Sequence, residues 1–300
     1  MIELACPVCQ SALAAQGDAA TCETCQQTFV RREGIWRFLL PSREREFADF
    51  LRDYRIVRVD EGWGASDARY YRALPHVDQD DPQRNVWRIR ARNFEWLLTL
   101  IGNGRPLRIL DVGAGNGWLA NQLARRGHAV AALDLADDSR DGLGARAHYA
   151  TSFETYQAEF DRMPFGEAQF GVVIFNAALH YADALSVTLR EARRVMRSDG
   201  SIIVMDSPFY SRSSSGSAMV AEREASFACK YGFNRQARTI GFLTRADLEQ
   251  SAAEAGLEMD IWAEDNRWAT RLRCTWIGWR TGREPARFPV VMLKYGKFNV

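Results

Sequence analysis

The chain has 300 residues, of which 47% are hydrophobic, and this suits one α/β domain with a small appendage or two domains. Its 39 basic and 38 acidic residues leave a formal net charge of +1. A net charge this small predicts no general electrostatic attraction of the protein to a nucleic acid or a membrane. No apolar run approaches the length of a bilayer span and no secretory leader is visible, so we expect a cytoplasmic protein.

Two Cys-x-x-Cys knuckles, Cys6/Cys9 and Cys22/Cys25, lie near the start of the chain and are separated by twelve residues. Two thiolates on a tight turn can bind one ion, and two such turns complete a tetrahedral site. Disulfides or a redox motif are the alternatives, but both fit poorly in a chain without secretion signals. A segment of about forty residues buries little core alone, whereas structural zinc contributes roughly 10–16 kcal/mol of apparent binding energy. We therefore predict a structural Zn²⁺ site.

The residues after the second knuckle extend this pattern. Matching apolar and glycine positions are Phe29, Gly34, Ile35, Phe38 and Leu39. Residues 2–41 resemble the small zinc-ribbon family that occurs alone as an activator of RNA methyltransferases and fused to bacterial rRNA guanine-N1 methyltransferases. The resemblance implies a zinc ribbon over residues 1–41, and it speaks for the ribbon more strongly than for RNA.

Helical spacing predicts two helices after the ribbon. The first is predicted to begin with Ser42 as its N-cap, and Asp81-Pro82 supplies an acidic N-cap and an N1 proline for the second. The apolar face of the first comprises Phe47, Phe50, Leu51 and Tyr54. Aromatic residues in the loop 60–80 between them either form a lid over a cofactor or pack as an irregular segment. Residues 42–104 are accordingly assigned to a helical linker or lid region.

A glycine-rich turn follows the first strand of the next region, in the sequence Leu110-Asp111-Val112-Gly113-Ala114-Gly115-Asn116-Gly117-Trp118. A buried strand, a bare turn and a helix start together bring backbone N–H groups to a ligand; a turn without a ligand is the alternative. Dinucleotide-binding enzymes require a small residue three positions after the second glycine, where this chain has Trp118. The acid-x-Gly-x-Gly-x-Gly pattern instead resembles the first motif of the class I S-adenosylmethionine (SAM)-dependent methyltransferases.

That resemblance implies an α/β fold for residues 105–300, with a doubly wound, mostly parallel, seven-stranded, Rossmann-like sheet. It assigns six residues around the turn to cofactor binding: Asp111, Gly113, Gly115, Asn116, Gly117 and Trp118. Asp134 ends the second strand, nineteen residues after Gly115, where an acid can accept hydrogen bonds from both ribose hydroxyls. We assign Asp134 and the following Leu135 to the cofactor, the alternative being a solvated carboxylate at a strand end.

A second stretch, Ala158 to Phe165, resembles the methyltransferase pattern Gly-Asp-Ala-x-x-Leu-Pro-Phe. The alignment places Glu159 at the adenine-binding acid and gives the backbone N–H of Phe160 to the adenine ring. Glutamate in place of aspartate and phenylalanine in place of a small residue depart from the family pattern. Asp161, one position away, is a second candidate for the acid.

The fourth strand, Phe170 to Phe175, continues into Asn176 and His180, which should border a ligand beyond the carboxyl ends of the strands. Class I small-molecule methyltransferases commonly carry a histidine here. We assign Asn176 to cofactor binding and His180 to general-base catalysis, because an imidazole titrates near neutrality; a structural histidine is the alternative. Further catalytic candidates are Tyr181 and Tyr71, followed by Tyr70, Asp206 and Tyr210.

The last third of the chain adds strands and an insertion. Ser201–Met205, Leu257–Ala263 and Leu272–Trp279 are predicted as the fifth, sixth and seventh strands. Residues 207–241 are an insertion with a serine-rich loop, Ser211 to Ser217, and a helix from Met219, and this insertion could build an acceptor pocket or lid. The basic segment 267–297 is either a solvated edge or a recognition surface for an anionic acceptor.

Together these patterns predict a SAM-dependent methyltransferase that acts on a small-molecule acceptor, either a metabolite or a natural-product intermediate, with an anionic acceptor as a further hypothesis. The first alternative is an rRNA or tRNA base methyltransferase that uses the zinc ribbon to bind RNA. The second is a non-enzymatic protein whose ribbon binds a partner. Oligomeric state and acceptor identity are not readable from the sequence.

Overall fold

A computed structural model describes residues 2–102, 104–232, 239–265 and 282–296. Its strands are β1 (Ala14–Gln16), β2 (Ala19–Thr21), β3 (Thr28–Arg32), β4 (Ile35–Arg37), β5 (Arg108–Val112), β6 (Ala129–Asp134), β7 (Glu154–Gln157), β8 (Phe170–Asn176), β9 (Met196–Met205), β10 (Phe209–Tyr210), β11 (Leu243–Thr244), β12 (Leu257–Ala263) and β13 (Val290–Tyr295). Its α-helices are α1 (Pro41–Asp60), α2 (Ala68–Ala73), α3 (Arg84–Ile101), α4 (Trp118–Ala124), α5 (Leu185–Val195), α6 (Ser213–Tyr231) and α7 (Arg245–Glu254). None of the described helices combines the length and the apolar character needed to cross a lipid bilayer.

Eleven of the described strands form one mixed sheet in the order β1-β2-β3-β4-β7-β6-β5-β8-β9-β13-β12. The run from β7 to β9 is parallel, whereas β13 is antiparallel to β9 and β12 is antiparallel to β13. The prediction of a seven-stranded sheet is therefore corrected: strands β7 to β12 in this order make seven, and the four amino-terminal strands extend the sheet. The predicted strand Leu272–Trp279 lies outside the described residues, and β13 was not foreseen.

The amino-terminal strands join the larger sheet through β4, which pairs in parallel with β7 and sets Trp36 beside Tyr156. Two further contacts attach the knuckle end, because Ala5 donates its N–H to the carbonyl of Pro164 at 3.1 Å and Gly166 donates to Glu3 at 2.9 Å. The four-cysteine segment is thus continuous with the sheet. The predicted division at residues 41 and 104 stays a prediction.

Alternating strand residues pack into two apolar layers, one on each face of the sheet. Leu110 and Val112 face a layer that contains Leu189 of α5 and Leu248 of α7. Ile109 faces the other layer, which includes Trp87 and Phe94 of α3 and Leu119 of α4. Helices therefore cover both faces, as the apolar character of the central strands predicts. The doubly wound α/β arrangement is confirmed.

Three helix starts differ from the predictions. The N-cap of α1 is Leu40, with Pro41 in the first turn, so Ser42 lies inside the helix. The helix α3 begins at Arg84, and Asp81 accepts the N–H of Gln83 at 2.7 Å in the turn before it.

The helix α6 begins at Ser213, within the predicted serine-rich loop. A Cβ on Gly216 would lie 2.2 Å from the ring of Phe242, so the small residues of this turn let the helix approach that ring. Most of the segment Ser211 to Ser217, whose composition suggested a loop, is therefore helical.

Candidate active site

A cavity of about 880 Å³ lies at the carboxyl ends of the parallel strands. The glycine turn after β5 and the residues that follow β6, β8 and β9 line it, together with side chains of α1, α3 and α6. This position is where open α/β sheets bind ligands, because the connections from neighbouring strands diverge there.

The glycine turn takes a conformation that only glycine adopts without strain. Gly113, Gly115 and Gly117 have φ values of +73°, +52° and +75°. A Cβ on Gly113 would lie 2.3 Å from the Cβ of Ala178, so the backbone there passes close to the loop after β8. The sequence pattern therefore reflects both the turn geometry and this close approach.

Asp134 stands beside the turn and is fixed by backbone donors. Gly115 donates its N–H to Oδ2 and Ala136 donates to Oδ1, each at 2.8 Å. Burial raises the pKa of this carboxyl to about 6, while these two N–H groups oppose the rise. Asp134 and the neighbouring Leu135 line the cavity, as does Asn116, whose side-chain amide donates to Asp141 at 3.3 Å.

Two residues of the motif do not point as the resemblance implied. Asp111 is fully buried, is not among the lining residues of the cavity, and neither of its oxygens has a hydrogen-bond partner. Burial and the nearby Asp134 raise its pKa to about 7. Trp118 borders the cavity, but its indole packs edge-on against Trp87 at 5.7 Å. The bulky ring is thus accommodated in the core under the turn.

The candidate adenine-binding acid already has a partner within the chain. Glu159 accepts hydrogen bonds from Nε of Arg43 at 3.0 and 3.1 Å, so the start of α1 is joined to the segment after β7. Phe160 and Asp161 also line the cavity, and the Phe160 ring packs edge-on against Phe175 at 6.1 Å. Both alternative acids therefore border the same space.

Asn176 and the candidate catalytic residues meet beyond β8. Asn176 is 8% exposed, and its Oδ1 has no hydrogen-bond partner although it borders the cavity. His180 lines the cavity with Nδ1 3.2 Å from Oγ of Ser207, and Tyr181 lines it with its ring edge-on to Tyr54 at 6.2 Å.

Tyr71 does not reach the cavity, so its position does not support the predicted catalytic role. The side chain is completely buried, and its hydroxyl lies 2.6 Å from the carbonyl oxygens of Ala65 and Arg140. Its ring stacks on His148 at 4.3 Å. Tyr71 ties the loop after α1 to the loop after β6.

The central strands of the sheet belong to a segment that resembles a known protein family. A family model described as a methyltransferase domain matches residues 110–204, from the glycine turn through β9. Residues 110–204 therefore match a methyltransferase domain, and the comparisons support a SAM-dependent methyltransferase. The predicted enzyme class is confirmed for this domain, whose matched residues include the turn, Asp134, Asn176 and His180.

The relatives of the methyltransferase domain share only part of their length with this chain. Malonyl-(acyl-carrier protein) O-methyltransferase of Geobacter sulfurreducens is 30% identical over 189 residues, which are 59% of this chain and 66% of that protein. The protein of the same name from Erwinia pyrifoliae is 33% identical over 109 residues, which are 36% of this chain and 40% of that protein. The chain therefore spans less than two thirds of the length of either relative.

A solved structure supports the fold of the methyltransferase domain. The YcgJ protein from Bacillus subtilis has a TM-score of 0.52 and 11% identity, and the superposition covers 69% of this chain and 99% of that one. At this identity the likeness concerns the fold alone.

Charged residues from the helices complete the lining of the cavity, and sequence reasoning missed most of them. Arg58 of α1 forms an ion pair with Asp141, while Arg90 of α3 and Arg223 of α6 line the cavity without a hydrogen-bond partner for Nε. No sequence motif identifies these arginines, because the only feature they share is that they line the same cavity. One sequence feature could have pointed to these arginines, namely the aromatic residues of the loop before α3. Among them, Trp63 has its ring centroid 3.7 Å from the guanidinium carbon of Arg58.

The four predicted metal ligands, Cys6, Cys9, Cys22 and Cys25, come together at the amino-terminal end of the chain. Their sulfur atoms all lie within 4.8 Å of one another, and those of Cys9 and Cys22 are 3.5 Å apart. A tetrahedral Zn²⁺ with ligand distances of about 2.3 Å separates its sulfur atoms by roughly 3.8 Å. The cluster could therefore hold a metal ion with little movement of the two turns.

Proposed function

We propose that the chain transfers the methyl group of SAM to a small-molecule acceptor that binds in the same cavity. The observation that carries this proposal is the cavity itself, which at about 880 Å³ lies in the upper part of the ~300–1,000 Å³ range of ligand sites. The glycine turn and Asp134 border it, and so do His180, Tyr181 and Arg223. One space thus adjoins most of the predicted cofactor residues and two of the predicted catalytic residues, His180 and Tyr181.

When bound, SAM supplies a methyl group already activated by its sulfonium, so the protein needs no covalent catalyst. The turn would offer backbone N–H groups, and Asp134 would accept hydrogen bonds from ribose hydroxyls, for which a carboxylate retains lone pairs beyond the two N–H bonds it has. Asn176, with a buried and unpartnered Oδ1, suits a cofactor N–H or O–H donor. Alignment of the acceptor with the methyl group, together with exclusion of water, can lower the activation free energy by on the order of 7–11 kcal/mol.

On the acceptor side we propose His180 as the general base where the acceptor is protonated. Its contact with Ser207 orients the ring, and its neighbour Tyr181 borders the same wall of the cavity. An acceptor already ionised at neutral pH would need no base, and His180 would then serve only to position it.

An anionic acceptor is supported by Arg223. This residue of α6 lines the cavity, and its Nε is buried without a hydrogen-bond partner among the described residues. A guanidinium binds carboxylate or phosphate through two parallel hydrogen bonds. The two relatives are named for O-methylation of a malonyl group, which ends in a carboxylate. An acid or an acyl carrier with a free carboxylate is therefore the first acceptor class to test.

We further propose that Cys6, Cys9, Cys22 and Cys25 hold a structural Zn²⁺, in a protein that works in a reducing, cytoplasmic environment. The convergence of the four sulfur atoms supports this assignment. The RNA-methyltransferase alternative rests in part on the basic segment 267–297, whose residues 267–281 and 297 lie outside the described ranges, and it stays a hypothesis.

Calorimetric titration with S-adenosylhomocysteine, the reaction product, tests the proposal. We expect binding by the purified chain and a loss of roughly tenfold or more in Asp134→Ala, because hydrogen bonds to a charged group contribute about 1.5–3 kcal/mol. Glu167→Ala, a change of an exposed acid that does not line the cavity, is the control. Absence of binding by the wild-type chain, or equal affinity in Asp134→Ala, would contradict the cofactor assignment.

A further inference from the structure

Asp206, directly after β9, is a buried carboxylate in which only one of the two oxygens has a hydrogen-bond partner. It is 7% exposed and lines the cavity, and its Oδ1 accepts a hydrogen bond from Nδ2 of Asn93 at 2.6 Å. Its Oδ2 has no partner. The residue also has a φ of +57°, a left-handed conformation that costs a non-glycine residue stability and that recurs at functional sites. The backbone therefore holds this carboxylate at the cavity at some cost.

Arg90, on α3, is the matching cation. Its guanidinium carbon lies 4.9 Å from the ring centroid of Trp63 and 4.8 Å from that of Trp87, so two indoles restrict its position. Its Nε is buried and has no hydrogen-bond partner among the described residues. Arg58 shares the Trp63 ring but is paired with Asp141, so one of the two arginines at this indole is neutralised and the other is not.

The two charges influence each other without forming a hydrogen bond. Burial raises the pKa of Asp206 to about 6, and the positive charge of Arg90 opposes that rise. A buried charge without a partner is costly, and a ligand that brings the opposite charge removes the cost. An anion alone would satisfy Arg90 but would be repelled by Asp206, and a cation alone would do the reverse. A group that carries both charges satisfies both residues at once.

We propose that Arg90 and Asp206 bind an α-amino-acid group, with its carboxylate on Arg90 and its ammonium on Asp206. The planar guanidinium matches a carboxylate, and the unpartnered Oδ2 of Asp206 accepts an N–H bond from an ammonium. The group has two sources. It is the amino-acid end of SAM, in which case the inference rests on the proposed function, or it belongs to a separate amino acid in the acceptor position.

The first experiment compares two nucleosides that differ only in the amino-acid portion, S-adenosylhomocysteine and 5′-methylthioadenosine. Calorimetry gives their affinities for the wild type, Arg90→Met and Asp206→Asn. If the pair binds the amino-acid end, the wild-type preference for S-adenosylhomocysteine falls by roughly tenfold or more in each variant, while the affinity for methylthioadenosine changes by less than about threefold. Matched controls are Arg88→Met on the exposed face of α3 and Asp199→Asn at the opposite end of β9, which should change neither affinity.

The second experiment adds glycine, the smallest α-amino acid, to protein saturated with S-adenosylhomocysteine and follows binding by NMR. If the pair serves an acceptor, glycine binds to the wild type and not to Arg90→Met or Asp206→Asn, and the nucleoside preference of the first experiment is unchanged. Unchanged nucleoside preference together with absent or unaltered glycine binding overturns the proposal.

The remaining outcomes are also decisive. Retained methylthioadenosine binding shows that a variant is folded; where Arg90→Met or Asp206→Asn does not fold, Arg90→Lys or Asp206→Glu replaces it, with the same loss of preference expected in smaller degree. If the wild type binds neither nucleoside, the proposed function fails, and glycine titrated into the unliganded protein then decides the role of the pair by itself.

Discussion

The glycine turn offers a prediction in which backbone strain and steric contact can be separated. In Gly113→Ala the new Cβ would lie 2.3 Å from the Cβ of Ala178 and 3.2 Å from the ring of Phe160, at a φ of +73°. In Gly127→Ala, after α4, the φ is +88° but nothing lies within 4 Å of the new Cβ. Both substitutions carry the left-handed strain, and only the first adds a clash.

The magnitudes follow from these two contributions. Left-handed backbone costs an alanine roughly 1–2 kcal/mol, and this applies to both variants. Over-packing against Ala178 adds about 1–3 kcal/mol at Gly113 alone. Relief of the clash requires the turn or the loop after β8 to move, and Gly115 N–H, which donates to Asp134, belongs to that turn. We therefore expect Gly113→Ala to lose affinity for S-adenosylhomocysteine by about tenfold or more, which is about 1.4 kcal/mol.

Urea denaturation followed by circular dichroism measures the stability of each variant, and calorimetry measures its affinity for S-adenosylhomocysteine. Gly127→Ala should be destabilised by the strain alone and should keep the wild-type affinity. Equal stability and equal affinity of the two variants would refute the view that the close approach between the turn and Ala178 shapes the binding site.

Three further predictions concern other parts of the molecule. Removal of metal with a strong chelator should lower the melting temperature and increase amide exchange in β1 to β4, and an unchanged exchange pattern would argue against a structural ion. Arg43→Ala should destabilise the chain by about 1–3 kcal/mol because it leaves Glu159 buried without its donor, a loss that Glu159→Gln in the same background should largely restore, as double-mutant denaturation would show. Asp111 has a folded pKa of about 7, above its model value of 3.8, so the native state binds its proton more tightly than the unfolded state and stability should fall as pH rises between about 4 and 7. Asp111→Asn should flatten this part of the stability–pH profile by on the order of 1–4 kcal/mol, and an unaltered profile would count against an ionisable, unpartnered Asp111.

The position of the amino-terminal segment relates the metal-ligand cluster to the methyltransferase domain. Arg37, the last residue of β4, forms an ion pair with Asp137 and donates to the side-chain oxygen of Gln157 at 3.2 Å. Gln157 in turn donates to the carbonyl of Leu135, next to Asp134, at 3.0 Å. A change in the cluster that shifts β4 would therefore act on the loop that follows the ribose-binding candidate.

Local patterns predicted the features that depend on neighbouring residues. The glycine turn requires left-handed backbone at alternate positions, so its geometry is written in three nearby glycines. The knuckle spacing brings the cysteines together for the same reason, since each pair lies on one turn. Likewise Thr244 caps the start of α7 by accepting the N–H of Asp247, only three residues later, at 3.1 Å.

Long-range contacts decided the rest. Tyr71 and Asp111 have residue types and positions that suit a site, yet their surroundings bury both away from the cavity. Conversely, Arg58 and Arg90 have no distinctive spacing, and only the packing of α1 and α3 over the sheet brings them to the cavity.

The glycine turn, the acid at the end of the next strand and the four-cysteine cluster are each encoded within a short stretch of chain, so local patterns were enough to predict them. The charges that face the cavity, and the extension of the sheet by the amino-terminal strands through β4 and β7, became visible only in the folded chain. The physical reason is that side-chain burial and strand pairing join residues more than a hundred positions apart, and no local spacing records them.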